Sequence, residues 1–135
     1  MLADSIPQSI LVAEDNGQLR SWLQKVLEYA GYAVMEAANG RELMDILRRT
    51  SVHLCITDLA MPEQEGIETI QMIRSEYPEM KIIVISGAGP EMLQVSRKLG
   101  ATASLSKPVD VETLLKTVRE VLAASNPQSG HPKLA

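Results

Sequence analysis

Short aliphatic runs alternate with stretches of helical period along the whole chain, and this restricts the fold more than any other feature. Ser9-Ile10-Leu11-Val12-Ala13, Tyr32-Ala33-Val34-Met35, Val52-His53-Leu54-Cys55-Ile56-Thr57 and Ile82-Ile83-Val84-Ile85 are too short for stable helices and nearly all apolar, as strands covered on both faces are. A weaker fifth run extends from Thr102 to Leu105. Leu19, Trp22, Leu23, Val26, Leu27 and Ala30 recur at helical spacing ahead of Gly31, and Asn39-Gly40 opens a second helix with Leu43, Ile46 and Leu47. Ile67, Ile70 and Ile73 mark a third, closed by Pro78; Pro90 begins a fourth with Met92, Val95 and Leu99 on one face, ended by Gly100. Asp110 caps a fifth, in which Val111, Leu114, Leu115, Val118, Val121 and Leu122 repeat at a period of about 3.6. Five strand–helix units in strict alternation predict an α/β fold, its parallel sheet covered on both faces through right-handed crossovers.

The 135 residues suffice for one domain that buries roughly two-thirds of its unfolded surface. We place that domain at 1–124 and read 125–135, rich in Ser, Pro and Gly, as a polar tail or linker. A net charge of −4 offers no basic field to a nucleic-acid backbone, which points to protein partners. The lone Cys55 falls in a predicted strand and cannot form an internal disulfide, which fits a reducing, cytoplasmic setting. The start of the chain carries Asp4 and Pro7 in place of a charged, apolar export signal, and no aliphatic run approaches the roughly 20 residues that span a bilayer.

The chemistry gathers where the runs end. Glu14 and Asp15 close the first, Asp58 the third, Ser86-Gly87 the fourth, and Lys107-Pro108 the fifth. In a parallel sheet these side chains converge in the crevice at the strands' carboxyl ends, where open α/β sheets bind ligands. Carboxylates a few ångströms apart repel by about 4 kcal/mol at an effective dielectric near 20, so the cluster calls for a cation. Oxygen ligands beside a phosphate favour Mg²⁺, with Asp15 and Asp58 as direct ligands and Glu14 bound directly or through water. Asp58 is then a carboxylate nucleophile toward phosphorus, Lys107 neutralises phosphoryl oxygens, and Ser86 donates a hydrogen bond to them.

With Glu14-Asp15, Asp58-Leu59-Ala60-Met61-Pro62, Gly66, Ser86-Gly87 and Lys107-Pro108 in these places, the chain resembles the response-regulator receiver domains of two-component signalling from about Ser9 to Leu122. The resemblance implies a flavodoxin-like, doubly wound sheet of five parallel strands in the order 2-1-3-4-5 with five helices. It implies that Asp58 accepts a phosphoryl group from a histidine kinase or histidine phosphotransfer protein, with Mg²⁺ held also by the backbone carbonyl of Ala60. It further implies a switch, not an enzyme, with only slow self-catalysed phosphotransfer and dephosphorylation. The readout face would be the fourth helix, fifth strand and fifth helix, facing a downstream protein or a fused output domain; a homodimer stays open. The chain departs from the family in three places: Glu14-Asp15 stands where many members have Asp-Asp, Ala60 has no polar side chain, and Ser104 occupies the position of the family's switch aromatic.

Two other readings compete. An aspartate-nucleophile phosphatase would need a second acid two residues after the nucleophile, where this chain has Ala60, and room for a cap domain. A receiver-like binding module uncoupled from phosphorylation would suit Ser104, but it would have no use for a costly acidic cluster. Gly87-Ala88-Gly89 resembles the start of a dinucleotide loop, yet Met92 takes the third glycine position. His53, expected in an apolar setting, and His131 lack companions at zinc-ligand spacing, and Trp22 reads as a packing residue.

Overall fold

Each aliphatic run becomes a strand and each periodic stretch a helix in the computed structural model, which describes residues 6–59 and 65–124. The order is β1 (Ser9–Ala13), α1 (Gly17–Tyr29), β2 (Ala33–Ala37), α2 (Gly40–Arg49), β3 (Leu54–Asp58), α3 (Glu65–Glu76), β4 (Lys81–Ser86), α4 (Pro90–Lys98), β5 (Ala103–Ser106) and α5 (Val111–Ala123). The strands form one sheet in the order β2-β1-β3-β4-β5, and every neighbouring pair is parallel. The polar tail at 125–135 lies outside the described residues.

Alternation of side chains along the strands divides the core in two. Leu11, Cys55, Ile82 and Val84 face α2, α3 and α4 through Leu43, Leu47, Ile70, Ile73 and Met92. Ile10, Val12, Ile56, Ile83 and Ile85 face α1 and α5 through Leu23, Leu27, Leu114 and Val118. Cys55 is a buried free thiol whose pKa burial pushes up to about 12, so it packs as a small apolar residue.

The helix starts follow from their caps. Asn16 accepts from the Leu19 N–H at 3.0 Å, Asn39 from Glu42 at 2.9 Å and Asp110 from Thr113 at 2.9 Å. The stops at Gly31 and Gly100 have φ of 104° and 122°, a backbone that glycine adopts without strain.

Several boundaries and faces differ from the sequence expectation. β2 begins at Ala33 and runs on to Ala37, since Glu36 and Ala37 pair with Val12 and Ala13. β3 begins at Leu54, not Val52, and His53 is exposed instead of lying in an apolar setting: its Nδ1 accepts from the Ser9 N–H at 3.0 Å. On α4 the fully buried position is Ser96, whose hydroxyl donates to the Leu93 carbonyl at 2.7 Å, while Val95 is exposed. Val111, counted with the apolar face of α5, is also exposed.

Candidate functional site

The topology puts five polar residues on the carboxyl edge. Glu14 and Asp15 follow β1, Asp58 ends the adjacent β3, Ser86 ends β4, and Lys107 follows β5. Asp58 lies opposite Ile85, one residue short of Ser86, and Ser86 lies opposite Ser106, one residue short of Lys107. The Lys107–Pro108 peptide bond is cis.

Burial separates the two acids that the sequence sets side by side. Glu14 is 1 % exposed and Asp58 3 %, whereas Asp15 is exposed. The Lys107 ammonium donates to Asp58 Oδ2 at 2.8 Å and stands 3.5 Å from Glu14 Oε1. Burial pushes the Glu14 carboxyl up to about 7; the Asn16 N–H opposes this, the charge of Asp58 adds to it, and Lys107 opposes it again. Burial alone would pull the Lys107 ammonium down, but its hydrogen bond to Asp58 and the charges of Asp58 and Glu14 outweigh that and hold it above its usual value.

Glu14 Oε2 accepts from the Asn16 N–H at 3.0 Å, while Oε1 is a buried acceptor with no hydrogen-bond partner. One carboxylate oxygen each from Glu14, Asp15 and Asp58 lies within 4.8 Å of the others. An all-oxygen acidic set with an unsatisfied buried acceptor fits a hard divalent cation. No other group of three or more His, Cys, Asp or Glu side chains among the described residues has that geometry, His53 included.

Ser86 is fully buried, and its Oγ accepts from the Ala88 N–H at 3.0 Å, which leaves the O–H proton to donate elsewhere. Ala60, expected to offer a backbone carbonyl, lies outside the described residues, as do Met61 and Pro62. Gly66 shows why the next helix can begin so close: a Cβ there would fall onto the Leu59 carbonyl oxygen and lie 2.7 Å from that of Asp58. Ser104, opposite Val84, borders a cavity of about 330 Å³ with Leu93, Pro108, Val109 and Thr113.

Two residues near the site were not foreseen as part of it. Arg20, on α1, donates from Nη1 to the Glu14 carbonyl at 2.6 Å; an arginine on an amphipathic helix reads as a solvated charge, so no sequence signal marked it. Trp22 packs against the core as expected, but it also borders a cavity of about 460 Å³ with Leu19, Lys107, Pro108 and Val109.

A doubly wound domain with an acidic, cation-suited pocket and an ammonium against its deepest aspartate defines a narrow class of protein. The sequence profile of the response regulator receiver domain matches residues 10–119, and the chain belongs to that family of two-component systems. It is 34% identical over 117 residues to the response regulator receiver protein CpdR of Brucella abortus, an alignment covering 86% of this chain and 98% of that one. It is 28% identical to sporulation initiation phosphotransferase F of Bacillus subtilis, covering 85% of this chain and 94% of the relative. Among solved structures, chemotaxis protein CheY4 of Vibrio cholerae is similar with a TM-score of 0.80 and 33% identity, over 86% of this chain and 99% of that one. The flavodoxin-like fold and its strand order thus agree with the expectation. Among the described residues, no helix is long and apolar enough to cross a membrane.

Proposed function

We propose that the chain is a phosphoacceptor switch in which Asp58 receives a phosphoryl group from a histidine kinase or histidine phosphotransfer protein. The observation that carries this reading is the Lys107 ammonium 2.8 Å from Asp58 Oδ2 inside a buried acidic pocket. A carboxylate oxygen of Asp58 forms the new bond to phosphorus as the donor's P–N bond breaks. The electron pair stays on the imidazole nitrogen, and a ring proton keeps that leaving group neutral. Lys107 already points at the carboxylate and offsets charge on the transferred group; Ser86 donates its O–H to a phosphoryl oxygen.

Mg²⁺ would be held by Asp15, Asp58 and Glu14, with the Ala60 carbonyl as the family resemblance implies, and would mask the negative charge that otherwise keeps carboxylate and phosphoryl group apart. The protein turns over no substrate of its own beyond slow self-phosphorylation and hydrolysis of its acyl phosphate. The phosphotransferase named among its relatives supports the donor class. Engagement of Ser86 and Lys107 favours one of two states of the face formed by α4, β5 and α5, and that face meets a downstream protein or output domain. The setting we assign is cytoplasmic.

Intact mass after incubation with acetyl phosphate and MgCl₂ tests this. A single phosphoryl adduct, lost in Asp58→Asn and after chelation, is the expected result. No adduct and no released phosphate would favour the phosphorylation-independent binding module, and rapid phosphate release would favour a phosphatase.

A further inference from the structure

Glu14 is fixed on every side but one. Its N–H donates to the Ala37 carbonyl at 3.0 Å, its carbonyl accepts from Arg20 Nη1 at 2.6 Å, and its Oε2 accepts from the Asn16 N–H at 3.0 Å. Arg20 is itself held, since its Nε donates to Glu36 Oε1 at 3.2 Å from near the end of β2. The two side chains are 24% and 33% exposed, so the pair is partly sheltered from water.

We infer that Arg20 and Glu36 form a positioning clamp that sets the Glu14–Asp15 peptide so that both carboxylates face one divalent cation; this rests on the function proposed above. Successive side chains of an extended strand point to opposite faces, so neighbouring acids share an ion only if the chain turns between them. The chain bends at Asp15, and the peptide entering that bend is the one whose oxygen Arg20 holds. Because a peptide unit is planar, anchoring its oxygen also fixes the direction in which Asp15 leaves. Glu36 has a second effect: it balances the guanidinium, which then acts as a donor without presenting a bare positive charge to an incoming cation.

Position and charge predict opposite signs, which makes the clamp testable. If Arg20 mattered only as a positive charge, Arg20→Ala would tighten Mg²⁺ binding. If it positions the carboxylates, the same change weakens binding by roughly tenfold, the lower range for residues that orient metal ligands.

The experiment titrates MgCl₂ into the full chain and its Arg20→Ala, Arg20→Lys and Glu36→Gln variants. Binding is followed by calorimetry and by fluorescence of the single tryptophan, Trp22, which borders a cavity with Lys107. Urea midpoints without Mg²⁺ report folding separately. Expected is the weakest binding in Arg20→Ala, partial recovery in Arg20→Lys and a smaller loss in Glu36→Gln; should Arg20→Ala lack a cooperative transition, the other two variants carry the test. Unchanged or tighter binding in the folded variants, with the native chain binding Mg²⁺, overturns the clamp alone. Absence of binding to the native chain overturns the proposed function and the clamp with it.

Discussion

Glu14→Gln should make the metal-free protein more stable relative to the native chain as the pH rises. The Glu14 carboxyl, ordinarily half-ionised at 4.5, is pushed up to about 7 by burial. A raised value means that the folded state holds the proton more tightly than the unfolded state. The associated stability is fully present below 4.5 and is lost as the pH rises through about 7. Each pH unit of that interval is worth about 1.4 kcal/mol, so the loss reaches about 3 kcal/mol by pH 8. Glutamine keeps one charge state throughout, and whatever its amide loses beside Lys107 is a constant. The stability difference between variant and native chain should therefore grow by about 3 kcal/mol from pH 4.5 to pH 8. Urea denaturation with a chelator present measures it; for a small domain this amounts to a midpoint change of roughly 1–3 M. Saturating MgCl₂ at pH 8 should then restore the native chain by about 2.7 kcal/mol at a hundred times Kd, and the variant by much less. Stability curves that stay parallel across this pH range would refute the argument.

Lys107→Ala leaves Glu14 and Asp58, 1 % and 3 % exposed, without their ammonium. It should lower metal-free stability at pH 7.5 by about 3 kcal/mol or more, and thermal melts should show Mg²⁺ stabilising this variant more than the native chain. Gly66→Ala drives a Cβ onto the backbone of Leu59 and Asp58, which should cost more than about 2 kcal/mol in chemical denaturation and reduce phosphoryl uptake in the mass assay. Ser104→Tyr places a ring beside the cavity of about 330 Å³ between α4 and α5. It should enlarge the phosphorylation-dependent amide-shift differences in α4, and unchanged differences would count against the switching role of that position.

What could be read in advance followed the strength of each local signal. The central strands β1, β3 and β4 are buried along their length and announce themselves as aliphatic runs. β2 lies at the sheet edge with Ala33 and Glu36 exposed, so its pattern thins and the aliphatic run stops short of the strand's end at Ala37. The apolar run begins ahead of β3 for another reason: His53 accepts the Ser9 N–H with its ring, a bond across the chain that no periodicity reports. Ser96 hid its burial on α4 because its hydroxyl finds an acceptor in its own helix, and a satisfied small polar group costs little inside. The edge residues of the site were legible because each closes a strand, whereas Arg20 acts through a backbone carbonyl and leaves no trace in residue type.

The unequal burial of Glu14 and Asp15 ties stability to ligation. A domain of this kind is stable by about 5–15 kcal/mol, so keeping Glu14 ionised at neutral pH removes a large part of that margin. Nothing in the packing of α1 against β1 requires it, since an uncharged side chain would accept the same Asn16 N–H. What an uncharged side chain cannot offer is a second anionic oxygen, and that is the buried atom left without a hydrogen-bond partner, 3.5 Å from Lys107. A cation at that oxygen would recover the ionisation cost directly. Around pH 7 metal affinity should therefore rise with pH as metal-free folding stability falls, while a variant neutral at position 14 would be steady in both.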